Sequence, residues 1–85
     1  MRVTVHNESV TLGQFEYKLL HFFISNPEKV FSRKQLLDNV WGANTFVEER
    51  TVDVHILRLR KALKKHSVTS PVDTVRGAGY RLAAQ

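Results

Sequence analysis

The sequence predicts an α+β domain: two short strands, three helices and a closing β-hairpin, in that order. Three observations carry this. Within residues 50–63, Val52, Ile56, Leu59 and Leu63 recur at i, i+4, i+7 and i+11, the apolar stripe of a helix packed on a core. Short alternating runs bounded by turn residues stand at both ends of the chain. Between them lie two further helical segments with clear stops, Asn26-Pro27 and Trp41-Gly42.

The first strands are expected at residues 2–6 and 9–12, with Asn7-Glu8 as their turn. Two strands alone are marginal, so they must lean on the helices or on further strands. Helix 1 is expected from Gln14 to Ser25. Phe15, Leu19, Phe22 and Phe23 share one side, Leu20 and Ile24 widen it, and Glu16, Lys18 and His21 lie elsewhere. So many large apolar groups mark the core helix. Helix 2 opens on a capping box, Ser32-Arg33-Lys34-Gln35, with Ser32 as N-cap and Gln35 at N3. Leu36, Leu37 and Val40 form its buried side. Residues 42–48 are a loop carrying Phe46 and Val47. Helix 3 is expected from Glu49 to Lys65, ~25 Å at the α-helical rise, long enough to cross a DNA major groove. Glu48 and Glu49 at its start and Lys64 and Lys65 at its end suit the helix dipole. Residues 66–71 read as a polar linker. The closing hairpin spans 72–75 and 79–82, with Arg76-Gly77-Ala78 at its turn and Val75 and Leu82 as its expected anchors.

Composition bounds the function. An 85-residue chain makes one small domain with a modest core. An apolar content of 42% suits a globular domain and is too high for a disordered tail. The chain has no cysteine, which excludes a disulfide staple or thiolate metal site and fits a cytoplasmic location. No apolar run approaches a membrane span, and the first residues lack the apolar region of a signal peptide. Net charge is +5, and its placement is uneven. Residues 50–85 hold eight Lys/Arg against Asp53 and Asp73, a balance of +6, whereas residues 1–49 balance at −1. Such asymmetry favours a polyanionic partner, most often nucleic acid. An acidic membrane surface is the weaker explanation, because no helix joins a polybasic face to a broad apolar one.

The candidate contact surface lies on helix 3, away from its apolar stripe. Thr51, Val54, His55 and Arg58 fall there at i, i+3, i+4 and i+7, offering a hydroxyl, a small apolar surface, an imidazole and a guanidinium. Helices 2 and 3 can form a helix-turn-helix with a long turn, and the last hairpin then serves as a wing with Arg76 at its tip. The whole is a winged helix-turn-helix. No catalytic constellation accompanies it: His6, His21, His55 and His66 are scattered, and Arg76-Gly77-Ala78-Gly79 precedes a strand instead of following one. No enzyme activity and no cofactor or metal are expected. The rival reading is a winged helix used for protein–protein or RNA contact. Such a module need not keep Thr51, His55, Arg58 and Arg60 together on an accessible side.

These residues also carry a family resemblance. Arg50-Thr-Val-Asp-Val-His-Ile with Arg58-Leu-Arg-Lys61, and Thr74-Val-Arg-Gly-Ala-Gly-Tyr-Arg81, resemble the winged-helix output domain of OmpR/PhoB-type response regulators. Ser32-Arg33 with Gln35-Leu-Leu37, Val40-Trp-Gly42, and Glu16-Tyr17 with Leu19-Leu20 match as well. The similarity covers nearly the whole chain, and within the family it is greatest to the phosphate-regulon branch. The resemblance implies that helix 3 is the recognition helix of a sequence-specific transcription regulator acting on double-stranded DNA. Thr51, Val54 and Arg58 are then expected to face bases. Trp41, Arg50, His55 and Arg60 are expected to meet phosphates, with Thr74 and Tyr80 meeting the backbone beside the wing. Arg76 is expected in the minor groove, and Asp53 would orient a neighbouring arginine or accept from a cytosine amino group.

The resemblance further implies that loop 42–48, through Asn44, Phe46, Val47 and Glu48, meets the sigma subunit of RNA polymerase. Apolar groups beside acids suit a basic protein surface better than a phosphate backbone. The plainer alternative is that Phe46 tucks under the core. Head-to-tail tandem dimers on direct repeats are implied, and a full-length protein would pair with a sensor histidine kinase. Three departures stand out. Leu57 occupies a position where the phosphate-regulon branch carries another arginine, so one phosphate contact is expected to be missing and an apolar group to be exposed. Phe15 stands where the family often has a Thr that caps helix 1. The family's longer N-terminal sheet and its receiver domain are absent, so the chain is expected to be an excised single effector domain, 1–85, with Met1 introduced.

Overall fold

The computed structural model describes residues 2–5, 8–43, 45–64 and 72–82. Strands β1 (Arg2–Val5) and β2 (Glu8–Thr11) pair antiparallel, from Arg2 opposite Thr11 to Val5 opposite Glu8. Helix α1 (Gln14–Ser25) follows, then α2 (Arg33–Leu36), a π-helical segment (Leu37–Trp41) and α3 (Arg50–Lys64). Strands β3 (Val72–Val75) and β4 (Gly79–Leu82) form the closing hairpin. The order is the expected one. Glu8 belongs to its strand instead of the turn, and Leu12 leaves the strand to enter the core. His6, Asn7, Asn44, Lys65 and the linker at 66–71 lie outside the described residues. Among the described residues no helix is long and apolar enough to cross a membrane.

The buried face of α1 is not the one that counting apolar residues suggests. It consists of Glu16, Leu19, Leu20 and Phe23, with Phe15 and Phe22 only partly covered and Ile24 59% exposed. The helix is turned toward its carboxylate because Phe15 stacks on Trp41, with centroids 4.5 Å apart, and Glu16 finds a polar partner on α3. The N-cap is Gly13, with no side-chain hydrogen bond, so Glu16 supplies the only anion of the first turn. Asn26 ends the helix as expected. Its backbone N–H donates to Phe23 and its side chain to the Phe22 carbonyl at 2.9 Å.

The capping box of α2 is complete. The Gln35 backbone N–H donates to the Ser32 hydroxyl at 3.1 Å, and the Ser32 N–H donates to the Gln35 side chain at 2.8 Å. Beyond Leu36 the helix widens, and Gly42 N–H reaches back five residues to the Leu37 carbonyl at 2.9 Å. Gly42 takes φ 109°, the positive angle that lets the chain leave the helix. Val40, expected in the core, is half-buried.

Helix α3 supplies the stripe foreseen from its spacing: Val52, Ile56, Leu59 and Leu63 are all fully buried. They pack with Leu12, the α1 residues, Phe31, Leu36, Leu37, Val72 and Tyr80. Burying a side chain of this size contributes ~1.5–3 kcal/mol. The wing is seated by Val72 and Tyr80; Val75 and Leu82, expected as its anchors, are half-buried. A third segment joins it, for Phe31 and Tyr80 exchange backbone hydrogen bonds of 2.9 Å in both directions. This pairing explains Gly79. Its φ is 139°, and a Cβ there would stand 2.0 Å from the Phe31 carbonyl oxygen.

Candidate nucleic-acid interface

With the stripe of α3 turned inward, the rotation of 100° per residue brings Arg50, Val54, Leu57, Arg58 and Lys61 to the opposite side. All five are exposed. Of the residues expected to face bases, Val54 and Arg58 are therefore on the open face. Thr51 sits at its edge, half-buried, with its N–H bonded to the Glu48 carbonyl at 3.0 Å. Arg50 pairs with Glu48 at 2.6 Å, both side chains largely exposed. Such surface pairs contribute ~0–1 kcal/mol, so releasing the arginine from this partner costs little.

His55 is more enclosed than its place in the sequence suggests. Its side chain is 16% exposed, and Nδ1 lies 2.6 Å from Glu16 Oε1. A carboxylate oxygen only accepts, so Nδ1 carries the proton. The ring is flanked by Trp41 and Phe15, with centroids at 5.4 and 5.5 Å. The Phe15–Trp41–His55 cluster and the buried Glu16 thus fix the imidazole and the indole relative to α3.

On its other side α3 is tied to the wing. Arg60 donates through Nε to the Val72 carbonyl at 3.0 Å and through Nη2 to the Thr74 hydroxyl at 2.8 Å, with its guanidinium over the Tyr80 ring. Tyr80 is buried, and its hydroxyl donates to Asp53 Oδ1. Arg33, at the start of α2, donates to the same oxygen from Nε at 3.0 Å. Asp53 therefore does orient a neighbouring arginine, and it joins α2, α3 and β4 at one atom. Burial, then the hydrogen bond to Asp53 and its negative charge, push the Tyr80 phenol above its ordinary pKa. The Asp53 charge likewise raises the Arg33 guanidinium.

Arg76 is exposed at the hairpin tip, beside Gly77 at φ 75°. In the loop, Phe46 is completely exposed and does not tuck under the core; Val47 is half-buried, and Glu48 and Glu49 are exposed. Sequence reasoning missed three participants. Glu16 was placed off the core face, Phe31 was given no role, and Arg33 was seen only as part of a capping box. A signal existed for Phe31, since it precedes the N-cap at the position from which a hydrophobic staple reaches N4, here Leu36. None existed for Glu16 or Arg33, whose partners lie 39 and 20 residues away.

Comparison with known proteins runs through both α3 and the wing. Residues 7–82 match the family described as "Transcriptional regulatory protein, C terminal". The chain is 55% identical over 84 residues to the phosphate regulon transcriptional regulatory protein PhoB of Klebsiella pneumoniae, a match covering 99% of this chain and 37% of that protein. It thus spans little more than a third of the length of the curated relatives it matches. The fold is similar to that of the AdeR DNA-binding domain, solved in complex with an intercistronic region, with TM-score 0.87, 38% identity, and coverage of 99% of this chain and 86% of that one. It is also similar to the Klebsiella pneumoniae RstA DNA-binding domain in complex with the RstA box, with TM-score 0.81, 31% identity, and coverage of 96% and 82%. The chain belongs to the OmpR/PhoB-type family of transcriptional regulatory protein C-terminal domains, the DNA-binding output domains of response regulators and not a family of enzymes.

Proposed function

We propose that this domain binds duplex DNA sequence-specifically and regulates transcription, with α3 in the major groove and the wing in the adjacent minor groove. The observation that carries the reading is the open face of α3, where Val54 and Arg58 stand exposed opposite a fully buried stripe. Arg58, Val54 and, at the rim, Thr51 read base edges; arginine matches guanine O6 and N7 in a bidentate contact. Arg50, Trp41, His55, Arg60, Thr74 and Tyr80 line the backbone on either side. Arg76 enters the minor groove, whose negative potential deepens where A·T runs narrow it.

Loop 42–48 meets the sigma subunit of RNA polymerase through Phe46, Val47, Glu48 and Asn44. A fully exposed phenylalanine beside two carboxylates favours a protein partner there. Two domains bind head to tail on direct repeats. In a full-length cytoplasmic regulator a receiver domain and a sensor histidine kinase control them, and the phosphate response is the regulon that the relatives suggest.

Selection of bound sequences from a random duplex pool tests this. The expected outcome is one motif with an invariant guanine, repeated in the same orientation at ~10–11 bp. Recovery of sequences with no common motif would overturn it.

A further inference from the structure

Leu57 is 52% exposed and Val54 45%, and they stand one turn apart on the outer face of α3. Among the described residues of α3, those around them on that face are cations: Arg50, which pairs with Glu48 of the preceding loop, Arg58 and Lys61. A single exposed leucine needs no explanation. A contiguous apolar strip framed by arginines, on the side that α3 offers to a partner, does. Leucine has no donor for a phosphate oxygen or a base edge. In the major groove the one apolar feature that base pairs present is the C5-methyl group of thymine.

We propose that Leu57 is a specificity determinant that reads the 5-methyl group of a thymine beside the base pair met by Arg58. Val54 and Leu57 together form the apolar half of the reading face, and Arg58 forms the polar half. The contact selects T·A by methyl burial and not by hydrogen bonding. This inference rests on the reading of α3 as the groove-binding helix.

The test replaces each thymine of the selected operator, in turn, with deoxyuridine, which differs only by the methyl group. Affinity is measured for the wild type, Leu57→Ala and Val54→Ala. Leu57→Gln serves as a second variant, keeping length and helix propensity while removing the apolar contact. At one thymine, deoxyuridine should weaken the wild type about fourfold, the ~0.8 kcal/mol of one buried methyl-sized group. Both Leu57 variants should be indifferent to that replacement, and Val54→Ala should still respond to it. Identical deoxyuridine profiles for the wild type and both Leu57 variants would overturn the inference while leaving sequence-specific binding intact. Failure to select any motif would remove the groove reading and this inference together.

Discussion

Replacing Tyr80 with Phe removes one oxygen and leaves the ring in place. That oxygen donates to Asp53 Oδ1, the atom that also accepts from Arg33, so the change cuts one tie between the wing and α3 while sparing those of Arg60 to Val72 and Thr74 and the tie between α2 and α3. A hydrogen bond to a charged group is worth ~1.5–3 kcal/mol. The Asp53 side chain is one-third exposed and keeps Arg33, so water replaces part of the loss. The expected destabilisation is ~1 kcal/mol, a fall of ~4–8 °C in the thermal midpoint of a domain this size. The pH dependence provides a second signature. Because the folded phenol has a raised pKa, the folded chain holds this proton where the unfolded chain has released it. The contribution is complete below pH ~10, the ordinary tyrosine value, and is lost as pH rises through the folded value. Urea unfolding of both proteins from pH 8 upward measures this. The wild type should lose stability relative to Tyr80→Phe above pH ~10. Equal midpoints at neutral pH with parallel alkaline limbs would refute the Asp53 tie.

Gly79→Ala should unfold the wing or cost at least ~3 kcal/mol, since its Cβ would meet the Phe31 carbonyl and its φ is positive. Gly77→Ala, with open space around it, should cost ~1 kcal/mol through φ alone; urea titrations of the two variants should separate clearly. Ser32→Ala breaks the capping box and should cost ~1 kcal/mol by the same titration. Charge reversal in Glu48→Lys should lower transcription activation in a reconstituted assay while operator affinity is kept or slightly raised, because Arg50 is then released from its pair. Equal loss of both activities would point to a folding or DNA role.

What was legible in the sequence was local. The stripe of α3, the capping box at Ser32–Gln35, the stop at Asn26-Pro27 and the hairpin at 72–82 are each written within a few residues, and each formed as read. The face of α1 was misread because hydrophobicity alone ranks Phe15, Phe22 and Ile24 above Glu16. In the fold a buried carboxylate with a histidine partner displaces them. The widened turn at Leu37–Trp41 has no composition signal, and the bridge from Phe31 to Tyr80 depends on a wing that arrives 49 positions later. For the interface, Val54, Arg58 and Arg76 could be placed from helical phase and turn position. Arg60, Thr74 and Tyr80 could not, because their hydrogen bonds to one another and to Asp53 are long-range.

In the proposed complex Arg58 and Arg76 occupy two grooves at once. Methylation interference on the selected operator reads both together, since dimethyl sulfate marks guanine N7 in the major groove and adenine N3 in the minor groove. The wild type should be blocked by methylation at one guanine in each half-site and at adenines flanking it. Arg58→Ala should lose the guanine block alone, and Arg76→Ala the adenine block alone. A pattern that neither substitution alters would contradict the assignment of α3 and the wing to the two grooves.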